Sequence, residues 1–109
     1  MAGKSWRRFA AIVTGAIAVS TCAAAYPDKA VRVVVPFPPG GGTDVVARSV
    51  ALKLGEMWNQ SVIIDNRPGA AAIIGTEIVA RAVPDGYTLL FVSMTHTINV
   101  SLYRKLPYD

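Results

Sequence analysis

Cysteine and histidine each occur only once in this sequence of 109 residues, as Cys22 and His96. A single cysteine cannot form an internal disulfide, and His96 has no cysteine, histidine or glutamate partner at the spacing of metal ligands. No metal ion and no cofactor is therefore expected. Internal repeats are also lacking, and the run of apolar and small residues from Phe9 to Ser20 is shorter than the ~20 residues that a membrane-spanning helix needs.

The first 25 residues have the three-part pattern of a secretory signal peptide. Basic residues come first, the stretch from Phe9 to Ser20 follows, and the alanines at 23–25 fit a small-residue cleavage site. This pattern predicts export to the periplasm and a mature segment over residues 26–109. A lipoprotein anchored through Cys22 is the alternative, which the bulky Thr21 before that cysteine disfavours.

The high proportion of basic residues belongs mostly to the predicted signal peptide. The chain has 11 Lys and Arg against 7 Asp and Glu, and three of the basic residues but none of the acidic ones precede Ala25. Eight basic residues then remain against seven acidic ones, so the mature segment has a net charge of about +1. This charge gives no reason to expect binding to nucleic acid or to a membrane surface.

Segments with the apolar pattern of a strand alternate with segments that have the pattern of a helix along the mature chain, which indicates an α/β fold. The patterns predict three strands, at 31–35, 61–64 and 88–92, and two helices, at 43–58 and 71–83. A polar loop is predicted at 93–99 and a final helical turn at 100–104. This order is typical of βαβ units and predicts a three-stranded parallel βαβαβ core. The first helix is expected to bury one of two stripes, Val46, Val50, Leu54 and Met57 or Ala47, Ala51, Leu54 and Trp58.

Three consecutive glycines, Gly40, Gly41 and Gly42, stand between the first strand and the first helix. Because glycine has no Cβ, all three can adopt positive φ and let a solute approach the backbone. The helix that follows presents unpaired N–H groups at the positive end of its dipole. We therefore expect an anion site made of backbone groups, with a carboxylate as its ligand.

The parallel sheet places this turn beside one other loop. If the strand order is 2-1-3, the chain leaves strand 1 in both directions, and the crevice at this switch point lies between the loops after strands 1 and 3, at 36–43 and 93–99. The second of these loops is rich in hydroxyl and amide side chains, which can hydrogen-bond a carboxylate or a bridging water. The loop at 65–70 is expected at the same edge, but further out.

Interpretations of these motifs other than ligand binding remain open. The glycines could form a plain strand-to-helix turn, and Asp44 could stabilise the helix dipole or orient the glycine loop. The loop at 93–99 could be a solvated segment in which Asn99 caps a following turn. A hydrolase that uses Ser93 and His96 is a further alternative, but no oxyanion arrangement is recognisable and an enzyme is not expected.

Several segments of the mature chain closely resemble the Bug family of extracytoplasmic solute receptors, the substrate-binding proteins of tripartite tricarboxylate transporters. The resemblance covers residues 26–109 and rests on the segments Tyr26–Asp44, Asp65–Ala70, Pro84–Leu90, Thr95–Tyr103 and Lys105–Asp109. It implies a type II periplasmic-binding-protein, or Venus flytrap, fold of two α/β lobes. The chain would contain the N-terminal part of the first lobe, without the second lobe.

The resemblance also implies a function and a set of ligand-binding residues. Family members capture small carboxylates for a membrane permease, and they hold a ligand carboxylate in the loops after strands 1 and 3. Carried over to this chain, the binding residues are Phe37, Pro39, Gly40, Gly41, Thr43 and Asp44 in one loop and Ser93, Thr95, His96 and Asn99 in the other.

Two departures from the family pattern limit this expectation. The family has a glycine-rich stretch where this chain has Pro-Gly-Ala-Ala-Ala-Ile-Ile-Gly at 68–75, so a ligand contact from that helix start is not expected. Family members are also several times longer than the mature segment, which is therefore expected to bind carboxylates weakly or not at all. The alternative is a truncated exported fragment without a transport role.

Overall fold

The computed structural model describes residues 25–108. The predicted signal peptide, with Cys22, lies outside the described residues apart from Ala25. The secondary structure consists of β1 (Val31–Val35), α1 (Gly42–Trp58), β2 (Val62–Asn66), a 3₁₀ turn (Ala70–Ala72), α2 (Ile73–Ala80), β3 (Thr88–Leu90) and α3 (Thr95–Leu102). None of the helices within residues 25–108 combines the length and the apolar character needed to span a membrane.

The three strands form one parallel sheet, as predicted, and their order is β2-β1-β3, the order on which the expected crevice depends. Val33 is paired with Ile64 on one side and with Leu89 on the other. The central strand β1 is almost completely buried because it has a neighbour on each side and a helix near each face. Its β-branched residues suit this position, since both faces of a central parallel strand are covered.

Helix α1 packs on the sheet through small side chains. Ala47 and Ala51 are buried, whereas Val46 is 53% exposed. Of the two predicted stripes, the alanine stripe is therefore the one that faces the sheet, because its short side chains let the helix approach closely. Met57, a member of the other stripe, is 78% exposed and does not belong to the core. Trp58, a member of the alanine stripe, is half-buried, with its ring edge-on to that of Tyr26.

Several predicted boundaries near the sheet edge differ from the structure. Strand β3 ends at Leu90, two residues earlier than predicted. Strand β2 continues through Asp65 and Asn66, which were expected to begin a turn. Helix α2 ends at Ala80 and is preceded by a left-handed turn at Ala70–Ala72. Helix α3 begins at Thr95, inside the segment expected to be a polar loop. Thr, His and Asn are weak helix formers, so local propensity alone favours a loop there, and burial of Asn99 accompanies the helix instead.

Candidate functional site

The loops that follow the three strands meet at one edge of the sheet, because all three strands point the same way. The loop between β1 and α1 lies in the middle, since β1 is the central strand. The β2–α2 connection and the β3–α3 loop lie on either side of it. This arrangement makes the loops at 36–41, 67–72 and 91–94 the candidate site.

Only one of the three glycines in the β1–α1 loop has a left-handed backbone. Gly40 has φ 85°, whereas Gly41 has φ −75° and ψ 168° and Gly42 is already helical. Of the three glycines that can adopt positive φ, only Gly40 does so, because Gly41 is the extended N-cap residue and the helix begins at Gly42, one residue earlier than predicted. A Cβ built on Gly40 or Gly42 would meet no heavy atom within 4 Å, so the space beside the turn is open.

The start of α1 presents N–H groups that have no partner within the helix. The first intrahelical bond runs from the Val45 N–H to the Gly41 carbonyl, at 3.0 Å. The N–H groups of Gly42, Thr43 and Asp44 precede this bond, and no side chain caps them. They lie at the positive end of the helix dipole, which favours an anion.

Asp44 is 2% exposed and holds in place the turn of Gly40, Gly41 and Gly42, called the glycine turn below. One carboxylate oxygen accepts hydrogen bonds from the Gly40 N–H at 2.9 Å and from the Arg48 Nε at 2.8 Å. The Arg48 hydrogen bond, the Gly40 amide and then the Asn66 amide stabilise the charged form and lower the pKa of Asp44 to about 2. Of the two roles open to Asp44 from the sequence, the structure therefore shows the orienting one, and the Gly40 N–H is used within the protein.

Asn66 is a positioning residue that the sequence patterns missed. Its Nδ2 donates to the other oxygen of Asp44 at 2.8 Å and to the carbonyl of Phe37 at 3.1 Å, and its Oδ1 accepts from Arg48. Asn66 ends strand β2, whereas the Asn-Arg-Pro-Gly sequence indicates only a turn. The one signal that could have identified Asn66 from the sequence is its place at the carboxyl end of a strand next to β1.

The β2–α2 connection lies directly against the β1–α1 loop, closer than the sequence indicated. A Cβ built on Gly75 would come within 2.6 Å of the Pro36 Cβ and 2.9 Å of the Arg67 carbonyl oxygen. The Arg67 N–H also donates to the Val35 carbonyl at 2.8 Å. Glycine at position 75 allows this contact. The left-handed turn at 70–72, which precedes Gly75, therefore lies at the same edge of the sheet as the β1–α1 loop.

The β3–α3 loop turns its polar groups largely toward one another. The hydroxyls of Ser93 and Thr95 are 3.3 Å apart, and the His96 N–H donates to the Ser93 carbonyl. The His96 ring stacks on that of Tyr108 with 5.5 Å between centroids. Its buried Nδ1 has no partner among residues 25–108, and no hydrogen bond joins the ring to the Ser93 hydroxyl in that part of the chain.

Asn99 lies on α3 and is 1% exposed. Its Nδ2 donates to the carbonyl of Ala71 at 2.7 Å, which links α3 to the β2–α2 connection. The sequence interpretation assigned Asn99 to the ligand, but the structure uses this N–H donor within the protein. The residues expected to bind the ligand all lie on the two predicted loops or in the first turns of the helices that follow them.

Comparisons with known proteins agree with this architecture. The model of the "Tripartite tricarboxylate transporter family receptor" family matches residues 46–109. Among the curated relatives, both of Bordetella pertussis, the chain is 44% identical over 103 residues to a UPF0065 protein and 42% identical over 99 residues to Protein BugT. These matches cover 94% and 89% of this chain but 32% and 30% of the relatives.

Solved structures of similar proteins have the same fold. A periplasmic transporter matches with a TM-score of 0.75 at 44% identity, over 78% of this chain and 29% of that one. MatC of Rhodopseudomonas palustris, with bound malate, has a TM-score of 0.71 at 41% identity over 77% and 29% of the two chains. Another protein of R. palustris, solved with adipate, has a TM-score of 0.68 at 37% identity over 77% and 28%.

These similarities confirm the predicted fold class, a partial α/β lobe of the periplasmic-binding-protein kind with a parallel βαβαβ core. One of the similar structures is a periplasmic transporter, another is a TctC solute binding protein, and two were solved with carboxylates. The chain spans about a third of the length of the curated relatives it matches. On its sequence and its fold, this chain belongs to the Bug, or TctC, family of tripartite tricarboxylate transporter receptors.

Proposed function

We propose that residues 26–109 form the N-terminal part of the first lobe of a receptor that captures a small organic acid for a membrane permease. The observation that carries the proposal is the start of α1, where the N–H groups of Gly42, Thr43 and Asp44 have no side-chain cap and precede the first helical hydrogen bond, while the space beside Gly40 and Gly42 is open. Family membership supports it, as do the malate and adipate ligands of two similar structures. Residues 1–25 serve in this proposal as the signal peptide for the periplasm.

Carboxylate capture at this turn depends on electrostatics alone and needs no chemical step. The ligand oxygens accept hydrogen bonds from the N–H groups of α1, while Asp44 holds Gly40 so that the turn keeps its shape. Phe37, Pro39, Gly41 and Thr43 surround the ligand on one side, and Ser93, Thr95 and His96 contribute hydroxyls, a ring or bridging water on the other. Asp44 and Asn99 contribute to binding by positioning other groups.

A single lobe is expected to bind such a ligand weakly. Three or four charge-assisted hydrogen bonds at about 1.5–3 kcal/mol each, with up to about 2 kcal/mol from the helix dipole, give roughly 5–14 kcal/mol before entropic costs. Micromolar affinity needs about 8 kcal/mol net. Since water competes for these N–H groups unless a second lobe excludes it, we expect a dissociation constant in the millimolar range.

An NMR titration of the ¹⁵N-labelled chain tests the proposal. Malate should shift the amide signals of residues 41–44 and 93–96 at millimolar concentration. The diamide of malate is the matched control, because it has the same carbon skeleton without the negative charges. Equal shifts with acid and diamide, or shifts confined to other residues, would contradict carboxylate binding at this turn.

A second candidate is an exported fragment without a transport role. The observation that favours it is the exposure of large apolar side chains such as Met57 and Leu52 on α1. Circular dichroism during heating separates the candidates, because a self-sufficient domain melts cooperatively. A gradual loss of signal would favour the fragment.

A further inference from the structure

Three consecutive alanines, Ala70, Ala71 and Ala72, have a left-handed backbone with φ of 47°, 52° and 73°. A Cβ makes this conformation unfavourable, and glycine normally takes it. Several such residues in a row persist only where the surrounding structure holds them. The structure must therefore contain contacts that keep this alanine turn from relaxing.

Each carbonyl of the alanine turn accepts a hydrogen bond, and within residues 25–108 only one of the donors comes from another part of the fold. The Ala70 carbonyl accepts from the Ile73 N–H, and the Ala72 carbonyl accepts from the Thr76 hydroxyl at 2.8 Å. Both donors belong to the turn itself or to α2, which follows it. The Ala71 carbonyl accepts from Asn99 at 2.7 Å, across 28 positions of sequence.

Asn99 is well placed to restrain the turn. It is buried in α3 although asparagine is a weak helix former, so a tertiary contact is the physical reason for its position. Its partner Ala71 is the middle residue of the turn, where both φ and ψ are left-handed, at 52° and 46°. The turn is also adjacent to Gly75, which packs against Pro36 in the glycine loop.

We propose that Asn99 is a positioning residue that clamps the alanine turn through the Ala71 carbonyl. The clamp keeps the β2–α2 connection in place beside the β1–α1 loop. It acts on a neighbouring loop and does not touch the ligand. Insofar as the clamp shapes a carboxylate site, it rests on the proposed function.

A double-mutant cycle in the full 109-residue chain tests the clamp. The variants are Asn99→Ala, Ala71→Gly and the two combined, and the measurements are thermal melting and hydrogen exchange of the amides at 70–73. Asn99→Ala should lower the melting temperature and speed this exchange at least tenfold, because the strained turn loses its external donor. In the Ala71→Gly background the same change should have less than half of that effect, because glycine takes the left-handed conformation unaided.

Two further variants separate the clamp from a general packing role. Asn99→Asp keeps the shape of the side chain but removes the N–H donor, so it should speed exchange in the turn as Asn99→Ala does. Ala80→Gly changes an alanine with helical backbone in α2, so it should not reduce the effect of Asn99→Ala.

The clamp would be overturned if Asn99→Ala had the same effect in the parent chain and in the Ala71→Gly background. An unprotected alanine turn in the parent chain would overturn it as well, because nothing would then be held. Malate titration of the same variants keeps the two proposals apart. Coupling between the substitutions without any response to malate would support the clamp and contradict the carboxylate function.

Discussion

The glycine turn and the alanine turn reach a left-handed backbone at the same edge of the sheet by different means. In the β1–α1 loop the left-handed residue is Gly40, and the anchor is Asp44, four positions along the chain. In the β2–α2 connection three alanines adopt this conformation, and part of the restraint comes from Asn99 on another helix. One turn follows its local sequence, while the other depends on tertiary contacts.

This difference predicts unequal local stability. The glycine turn has no Cβ to strain and is tied by a short-range hydrogen bond, so it should remain formed whenever α1 is formed. The alanine turn carries strain that its contacts must offset, and such segments open at lower free energy than the rest of a fold. Four substitutions with a matched pH experiment test this contrast, from the largest expected effect to the smallest.

The largest effect is expected for Gly75→Ala, which breaks the contact between the two turns. The new Cβ would overlap the Pro36 Cβ at 2.6 Å and the Arg67 carbonyl oxygen at 2.9 Å. Since backbone atoms cannot move aside as a side chain can, the free energy of unfolding should fall by about 3 kcal/mol in a urea titration. Gly42→Ala is the control, because its helical backbone leaves the added Cβ free of contacts. An equal loss in both variants would contradict the packing assigned to Gly75.

Asp44→Asn should have the next largest effect, because it removes the negative charge to which the Gly40 N–H and the Arg48 Nε both donate hydrogen bonds. We expect the melting temperature to fall by about 10 °C at neutral pH. Glu56→Gln is the control, since it alters only an exposed ion pair with Lys53 and should have little effect. A melting temperature unchanged in Asp44→Asn would mean that the glycine turn needs no anchor.

The same carboxylate predicts how stability depends on pH. The pKa of Asp44 is lowered from 3.8 to about 2 in the folded chain, so its contribution is complete above the unfolded pKa and is lost as pH falls from about 4 to about 2. Arg32 also lowers the pKa of Asp65, which adds to the loss in the same direction. Asp44→Asn should therefore show a shallower decline in melting temperature over this range than the parent chain. Parallel declines would contradict the assigned pKa.

The smallest effects come from exchanging glycine and alanine between the two turns. Gly40→Ala should lower the free energy of unfolding by about 1 kcal/mol, because φ is 85° but no atom lies within 4 Å of the new Cβ. Ala71→Gly should raise it by about 1 kcal/mol, since the strain of a left-handed alanine disappears. Changes of the same sign in urea titrations would remove the distinction between the two turns.

How far the sequence predicts each turn follows from the same contrast. The bounds of β1 and the position of the glycine turn depend on β-branched residues, glycine and helix signals that act locally. The left-handed alanines and the helical start at Thr95 could not be predicted in this way, because propensity opposes both. Asn66 and Asn99 acquire their roles only when the sheet brings distant segments together.

A crystal structure of the chain soaked in malate at millimolar concentration would test carboxylate binding at the start of α1 most directly. A carboxylate oxygen of the ligand is expected within about 3 Å of the backbone nitrogen of Gly42, Thr43 or Asp44. A carboxylate bound instead by the guanidinium of Arg67, or placed away from the glycine turn, would contradict it.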